Sequence, residues 1–249
     1  TLKAAKGMFA FGCWDALESE LWLGRDRFGE KPLYYGQHQG TFLFASELQA
    51  LRAVPDFHPD IDREALVEYF RWTNVPSPMT IYEGVSKLPP SHFLRVGQET
   101  AVAEPQPYWS AQDVAVNAQG ISDDIDTVDR LSDALDLAVG AQMVADVPLG
   151  AFLSGGIDSS SVDAAMQRQS SVPVQTFTIG FSESAYDESG YAAEVAEVLG
   201  TDHTDLVVSP EDAIQVIPEL PLIYNEPFAD TSQIPTFLLS RMAREHVTV

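Results

Sequence analysis

Hydrophobic and polar positions divide the chain into two parts with different periodicities. The first part alternates short apolar runs with turn residues, a pattern typical of strands. We predict strands at residues 7–11, 21–23, 41–46, 81–85 and 92–96. The first two flank a polar turn and therefore predict a hairpin.

Two helices are predicted among these strands. A short one begins at Glu47 and runs to about Ala53. A longer one runs from Asp62 to Trp72, with Asp62 as its N-cap. Its inward side chains are predicted to be Leu66, Tyr69 and Phe70.

Helical periodicity dominates after residue 124. Apolar residues three or four positions apart predict an amphipathic helix over 125–142. Its inward positions are Ile125, Val128, Leu131, Leu135, Ala138, Val139 and Gln142. Strands are predicted before Ser154, at 174–181 and at 203–208, with helices at 188–199, from 209 onward and at 236–245. Such alternation favours a doubly wound parallel sheet, and we expect domains at 1–110 and 124–249 with a linker at 111–123.

Composition excludes several classes of protein. The 249 residues contain no apolar run of about 18 residues, so we expect no membrane partner. The single cysteine, Cys13, cannot form an internal disulfide, and it fits a reducing compartment such as the cytoplasm. Cys13 lies in an apolar run and is expected to be a small core residue.

Charge is distributed unevenly along the chain. Residues 1–110 hold 10 basic and 14 acidic side chains, whereas residues 111–249 hold 4 and 23. An acidic surface repels phosphate backbones, so DNA and RNA are not expected as partners. A phosphate ligand in the second part would depend either on backbone amides and Mg²⁺ or on basic residues from sequence outside this chain.

The most informative stretch is Leu153-Ser-Gly-Gly-Ile-Asp-Ser-Ser160. It follows an apolar strand and leads into a helix, which is the arrangement of an anion site built from glycines and N-terminal amides. Asp158 next to a bound phosphate is reasonable if Mg²⁺ lies between the two. The stretch resembles the pyrophosphate loop of the ATP pyrophosphatase superfamily, which cleaves ATP between its α and β phosphates.

A second resemblance involves residues 8–47. Met8-Phe-Ala-Phe, Arg25-Asp-Arg-Phe-Gly and Phe44-Ala-Ser-Glu47 occur in the order found in class II glutamine amidotransferases, whose αββα fold uses an N-terminal nucleophile. In that family an N-terminal cysteine is the nucleophile and its own α-amino group the base. Neither Cys13 nor Thr1 fits that role, so we expect the chain to be a fragment that lacks both ends and is inactive alone.

A third stretch, residues 220–235, is similar to the synthetase part of glutamine-dependent asparagine synthetases. The family usually has Asp at the position of Asn225, so a charge role there is in doubt. Glu226 and Asp230 remain, and a structural role for them is as well supported as a catalytic one.

Together these resemblances imply asparagine synthetase, which joins ammonia from glutamine to aspartate through a β-aspartyl-AMP intermediate. ATP and Mg²⁺ are the implied cofactors; aspartate, glutamine and ATP are the small-molecule partners, and a homodimer is compatible with the family. The implied nucleotide-binding residues are Leu153, Ser154, Gly155, Gly156, Asp158, Ser159, Ser160, Phe177 and Ile179, with Asp158 as metal ligand.

Three alternatives stay open. The first is a related amidotransferase or β-lactam synthetase with another carboxylate acceptor. The second is a tRNA-thiolating ATP pyrophosphatase, which the acidic second part disfavours. The third, from a different class, is an inactive fragment that binds nucleotides or partners.

Overall fold

The computed structural model describes residues 2–97, 104–118, 125–182 and 187–248. It divides the chain into two compact units. The first comprises residues 1–119 together with 221–230, and the second comprises 120–220 together with 231–249. The loop at 183–186 and the end of the predicted linker, 119–123, lie outside the described residues.

Two antiparallel sheets form the first unit. One has the strand order β1 (Ala10–Asp15), β2 (Glu20–Arg25), β6 (His92–Val96) and β7 (Gln106–Pro107). The other has the order β4 (Thr41–Ala45), β3 (Tyr34–His38) and β5 (Val85–Lys87). Its helices are α1 (Leu48–Arg52), α2 (Arg63–Trp72) and α3 (Ala111–Asn117), and a 3₁₀ turn spans Leu2–Ala4.

The core of the first unit lies between its two sheets. Leu23 and Leu94 on one sheet are fully buried and pack with Tyr35 and Phe42 of the other. The predicted hairpin is confirmed, with Ala10 paired to Arg25 and Asp15 to Glu20. Short apolar runs on either side of a polar turn therefore predicted this hairpin correctly, although β1 begins at Ala10 and not at residue 7.

Several details of the first unit differ from the prediction. Cys13 is exposed, because it lies on the face of β1 opposite to the core. Phe70 is 77% exposed, so α2 is buried through Leu66 and Tyr69 instead. The strand predicted at 81–85 begins only at Val85, because the preceding residues form a turn around the buried Thr80 hydroxyl, 3.0 Å from the Val85 carbonyl oxygen. A helix, α3, occupies the start of the predicted linker.

The second unit contains a parallel sheet with the order β10 (Asp202–Val208), β9 (Gln175–Phe181) and β8 (Gly150–Phe152). Its helices are α4 (Ile125–Gln142), α5 (Ile157–Gln169), α6 (Ser189–Leu199), α7 (Pro210–Val216), α8 (Leu220–Ile223) and α9 (Gln233–His246). A 3₁₀ turn at Ile217–Glu219 joins α7 to α8.

Helices cover both faces of the parallel sheet. Ala151 on β8 packs against Ala165 and Met166 of α5. Phe177 on β9 packs on the opposite face against Ala243 of α9. The predicted mixed α/β class with a parallel sheet is confirmed, whereas the αββα arrangement of the first unit stays a prediction. None of the helices in the described ranges is long and apolar enough to cross a membrane.

Helix α4 is buried along only part of its predicted face. Val139 is buried beside α5, but Val128 and Leu131 are 66% and 70% exposed. The amphipathic pattern therefore predicted the helix correctly and overestimated the length of its packed face. The side chain of Ile125 is outside the described part.

The loop at residues 25–31 is held by hydrogen bonds between two charged side chains and the backbone. Buried Asp26 accepts hydrogen bonds from the backbone N–H groups of Phe9, Phe28, Glu30 and Lys31, at 2.9–3.2 Å. Arg25 donates to the carbonyl oxygens of Gly29, Lys31 and Leu88. Within the described ranges no salt bridge involves these two side chains. Burial tends to raise the pKa of Asp26, and the four N–H donors outweigh it and lower that pKa.

We expect Asp26→Asn to destabilise the first unit by about 2–4 kcal/mol, because the new amide group would face backbone donors. Urea unfolding followed by tryptophan fluorescence measures this. Asp62→Asn is the matched control, since both N–H bonds of that cap go to one oxygen, which the amide retains. A lowered pKa stabilises the fold above the unfolded value of 3.8, so the Asp26→Asn effect should shrink as pH falls below that value. An effect of Asp26→Asn no larger than that of Asp62→Asn would contradict the assignment.

Candidate nucleotide site

The candidate site begins where β8 ends. The Leu153 amide donates to the Phe177 carbonyl oxygen at 2.9 Å, which extends the parallel pairing by one residue. Ser154 follows and lies at the carboxyl end of the strand. Ligands of open parallel sheets bind at this edge, so the loop lies where a site is expected.

Gly155 allows the chain to turn from β8 into α5. Its φ is +75°, in the region that favours glycine. A Cβ atom there would lie 2.9 Å from the Ala192 nitrogen and 2.9 Å from the Tyr191 Cβ. The loop therefore passes against the backbone of α6, and glycine is required for a structural reason.

Gly156 is different. It is the N-cap of α5 with φ −74° and ψ 161°, a conformation that any residue can adopt. A Cβ atom there would meet only the Ser154 hydroxyl, at 3.4 Å. The described fold does not require glycine at this position, so the missing side chain leaves room beside the first turn of α5.

Two serine hydroxyls converge on this turn. The Oγ atoms of Ser154 and Ser159 are 2.9 Å apart, and the Ser154 amide donates to the Ser159 Oγ at 3.2 Å. The Gly156 amide points at the Ser154 Oγ at 3.4 Å. Together with the first-turn amides of α5, which have no carbonyl partner within the helix, these groups can donate to an anion.

Ser160 does not join this cluster. Its Oγ is buried and has no hydrogen-bond partner in the described part of the chain. The structure thus brings Ser154, Gly156 and Ser159 together and turns the Ser160 hydroxyl into the interior.

Asp158 lies in the first turn of α5 and is exposed. The positive end of the helix dipole favours a carboxylate there. Across the described ranges no cluster of three His, Cys, Asp or Glu side chains could hold a metal ion alone. Mg²⁺ needs only one or two carboxylates when phosphate oxygens complete its shell, so Asp158 fits a metal shared with a nucleotide.

A cavity of about 270 Å³ lies beside the loop, entirely within the second unit. Leu153, Ser154 and Ile179, three of the implied nucleotide-binding residues, line it. Its other lining residues were not predicted: Phe152, Thr178, Phe181, Glu188, Ser232, Pro235, Thr236 and Leu239. The sequence contained a signal for Thr178, because a polar residue in an apolar strand often has a specific partner. Its hydroxyl donates to the Leu153 carbonyl oxygen and so holds the start of the loop.

Phe177 does not reach this cavity. It lies two residues before Ile179 on the same face of β9, farther from the carboxyl edge. There Ala243 and Val247 cover it, and only 1% of it is exposed. Phe177 is therefore a core residue beneath α9.

Asp163 is a buried acid that the sequence analysis missed. It is 0% exposed, and neither of its oxygens has a hydrogen-bond partner among the described residues. Burial raises its pKa from 3.8 to about 7. The signal was present in the sequence, because Asp163 lies three residues from both Ser160 and Met166 on the inward face of α5.

Most of the third stretch, residues 221–230, belongs to the first unit. Asn225 and Glu226 belong to the first unit, where the Gln49 amide donates to the Asn225 Oδ1 at 2.6 Å and Glu226 forms an ion pair with Lys87. These contacts support the structural interpretation of both side chains. Asp230 is the last residue of this segment in the first unit.

We expect Asp163→Asn to stabilise the second unit more at pH 8 than at pH 5. The unfolded carboxyl ionises near 3.8 and the folded one near 7, so the native state binds the extra proton and loses stability as pH rises between these values. Between pH 5 and pH 8 the difference amounts to roughly 2–3 kcal/mol. Thermal unfolding at the two pH values measures it, with the exposed Asp133→Asn on α4 as control. Equal shifts for Asp163→Asn at both pH values would contradict the raised pKa.

Comparison with known proteins assigns the two parts of the chain separately. The glutamine amidotransferase domain family matches residues 1–109, and the asparagine synthase family matches residues 130–249. The first match covers the two antiparallel sheets, and the second covers the parallel sheet with the serine–glycine loop.

Relatives align over nearly all of the chain. A Mycobacterium tuberculosis protein with the provisional name asparagine synthetase (glutamine-hydrolyzing) is 35% identical over 253 residues, covering 100% of this chain and 38% of its own length. Asparagine synthetase (glutamine-hydrolyzing) 1 of Bacillus subtilis is 33% identical, covering 98% and 38%. A provisionally named Methanocaldococcus jannaschii synthetase is 35% identical, covering 100% and 48%.

The chain thus spans less than half the length of these relatives. Its amidotransferase-type and synthase-type parts follow one another in one continuous alignment with them. The chain belongs to the glutamine-hydrolysing asparagine synthetase family.

Proposed function

We propose that the complete protein containing this chain converts aspartate to asparagine, using ATP and ammonia released from glutamine. The observation that carries this proposal is the serine–glycine loop at the carboxyl edge of a parallel sheet, beside a cavity lined by Leu153 and Ile179. The amidotransferase-type residues 1–109 on the same chain supply a reason for glutamine as the nitrogen donor.

The proposed chemistry takes place at the α-phosphorus of ATP. An oxygen of the aspartate side-chain carboxylate attacks it and pyrophosphate leaves, which gives β-aspartyl-AMP. Ammonia then attacks the acyl carbon, and AMP leaves with that carboxylate oxygen. Negative charge grows on the phosphates in the first step, so donors already directed at them lower the barrier.

Each part of the loop has a role in this proposal. The hydroxyls of Ser154 and Ser159, with the amides of the first turn of α5, hold the departing pyrophosphate. Leu153 and Ile179 contact the adenosine from the cavity. The backbone supplies most of these groups, which suits a part of the chain with few basic side chains.

Asp158 is the residue proposed to hold Mg²⁺. When bound, the ion would neutralise charge on the phosphate oxygens. The Asp158 side chain is exposed in the first turn of α5, where an incoming Mg-ATP can reach it.

Glutamine hydrolysis is assigned to the amidotransferase-type part without a named nucleophile. Cys13 is exposed, but an internal residue has no free α-amino group to act as the base. Cys13 is therefore not assigned to this step.

The first test is Asp158→Asn in the complete protein. We expect aspartate-dependent ATP–pyrophosphate exchange to fall by at least about 100-fold, because a metal-bridging carboxylate is lost, while glutamine hydrolysis stays within about twofold of wild type. Ser161→Ala is the matched control, since its exposed hydroxyl donates only to the Ile157 carbonyl oxygen within α5. Exchange by Asp158→Asn within about tenfold of wild type would refute the metal assignment.

The second test separates a structural from a ligand-binding role for the two glycines. Gly156→Ala should change the melting temperature little, because its φ is negative and its Cβ has room. It should nevertheless weaken Mg-ATP binding by at least about tenfold, because the methyl group would occupy the anion's place. Gly155→Ala should instead destabilise the fold, because of its positive φ and the contact with α6.

Gly190→Ala on α6 is the control, since a Cβ atom there meets nothing within 4 Å. Melting curves and Mg-ATP titrations of all three variants would be recorded on the complete protein. A Gly156→Ala variant that binds Mg-ATP as wild type does would show that the loop is not a phosphate cradle.

A further inference from the structure

A segment of the synthase-type sequence is bound to the amidotransferase-type part. Residues 221–230, which we call the strap, lie within the 130–249 family match but pack in the first unit. The Ala229 amide donates to the Thr73 carbonyl oxygen at 2.9 Å. The side chain of Gln49 donates to the Leu222 carbonyl oxygen. The strap is therefore held at both of its ends.

Asn225 holds the middle of the strap by capping α1. The N-cap residue of that helix, Glu47, makes no side-chain cap bond, and the Asn225 Oδ1 accepts from the Gln49 amide in its place. Glu226, which follows Asn225, and Glu47, which precedes α1, both act electrostatically on Tyr34 of β3. Burial first and Glu226 second raise the pKa of Tyr34 to about 12, and Glu47 adds to the effect.

Glu226 attaches the strap through an ion pair and a hydrogen bond. It forms an ion pair with Lys87, and each side chain is only 14% exposed. The other Glu226 oxygen accepts from the Ile81 amide at 3.3 Å, and Lys87 also donates to the Val75 carbonyl oxygen. Removing one partner of such a pair leaves an uncompensated charge and costs far more than removing both.

The strap leads directly into the wall of the candidate nucleotide cavity. Ser232, two residues after its end, lines that cavity, and so do Pro235, Thr236 and Leu239 on the first turns of α9. Consecutive Cα atoms are 3.8 Å apart, so a displacement of Asp230 can be taken up over only a few bonds before it reaches Ser232.

We infer that Lys87 and Glu226 are positioning residues for the nucleotide site. The pair fixes the strap, the strap fixes the start of α9, and α9 closes one side of the cavity. Lys87 lies outside the synthase-type sequence, and the strap links it along the chain to the start of α9. This inference rests on the function proposed above.

The test uses the complete protein and the ammonia-dependent reaction, which bypasses glutamine hydrolysis. KM for ATP, kcat, glutaminase activity and melting temperature would be measured for Lys87→Met, Lys87→Arg, Glu226→Gln and the double variant Lys87→Met/Glu226→Gln. Glu20→Gln is the matched control, because Glu20 pairs with Arg95 in the same unit and does not touch the strap.

We expect Lys87→Met to raise KM for ATP by at least about fivefold with glutaminase activity within about twofold of wild type. Lys87→Arg should retain the charge and stay within about twofold of wild type. The double variant should be no worse than Lys87→Met, since no unpaired charge remains. Glu20→Gln should leave KM for ATP unchanged.

A lower melting temperature for Lys87→Met with an unchanged KM for ATP would overturn the inference, since the pair would then be structural only. Additive effects in the double variant would overturn it as well. If Lys87→Met does not fold, Glu226→Gln, which keeps its shape and can still accept from Ile81, decides by the same criteria. A wild-type protein without ATP-dependent synthesis would instead refute the proposed function.

Discussion

The left-handed conformation of Gly155 is the constraint on which the candidate site depends. It allows the chain to leave β8, pass within contact of the α6 backbone and begin α5 at once. That short turn brings the Ser154 and Ser159 hydroxyls to 2.9 Å and directs the helix N-terminus at the same space. Parallel pairing of β8 with β9 then sets Ile179 next to the loop. Any residue with a Cβ at position 155 would push the loop away from α6.

Charge and backbone geometry explain how an acidic part of the chain could accept a nucleotide. Residues 111–249 contain only four basic side chains, so the proposed site relies on amides, hydroxyls and a metal held by Asp158. Backbone groups also neutralise charged side chains in the first unit, where Asp26 and Arg25 bond to the main chain and not to each other. The strap is different, because a nearly buried ion pair between Lys87 and Glu226 attaches it to the rest of the first unit.

Much of the fold could be predicted from the sequence because its elements have strong local signals. Asp62 caps α2, Gly200 ends α6 with φ +72°, and Ser209 with Asp212 forms the capping box of α7. The loop at 153–159 was located for the same reason, since glycines and serines there have local consequences. Features that tertiary contacts decide could not be read from the sequence: the exposure of Cys13, the packing of Phe177 under α9, and the inward turn of the Ser160 hydroxyl. The role of Asn225 was unpredictable, because its partner Gln49 is 176 residues away.

Attack of aspartate on the α-phosphorus of ATP is tested most directly by following the oxygens of the aspartate side chain. The complete protein would be incubated with ATP, ammonia and aspartate labelled with ¹⁸O in its side-chain carboxylate, and the products analysed by mass spectrometry. AMP should gain one ¹⁸O atom and pyrophosphate none, because the carboxylate attacks the α-phosphorus. Release of ADP with labelled inorganic phosphate would contradict it, since the chemistry would then take place at the γ-phosphate.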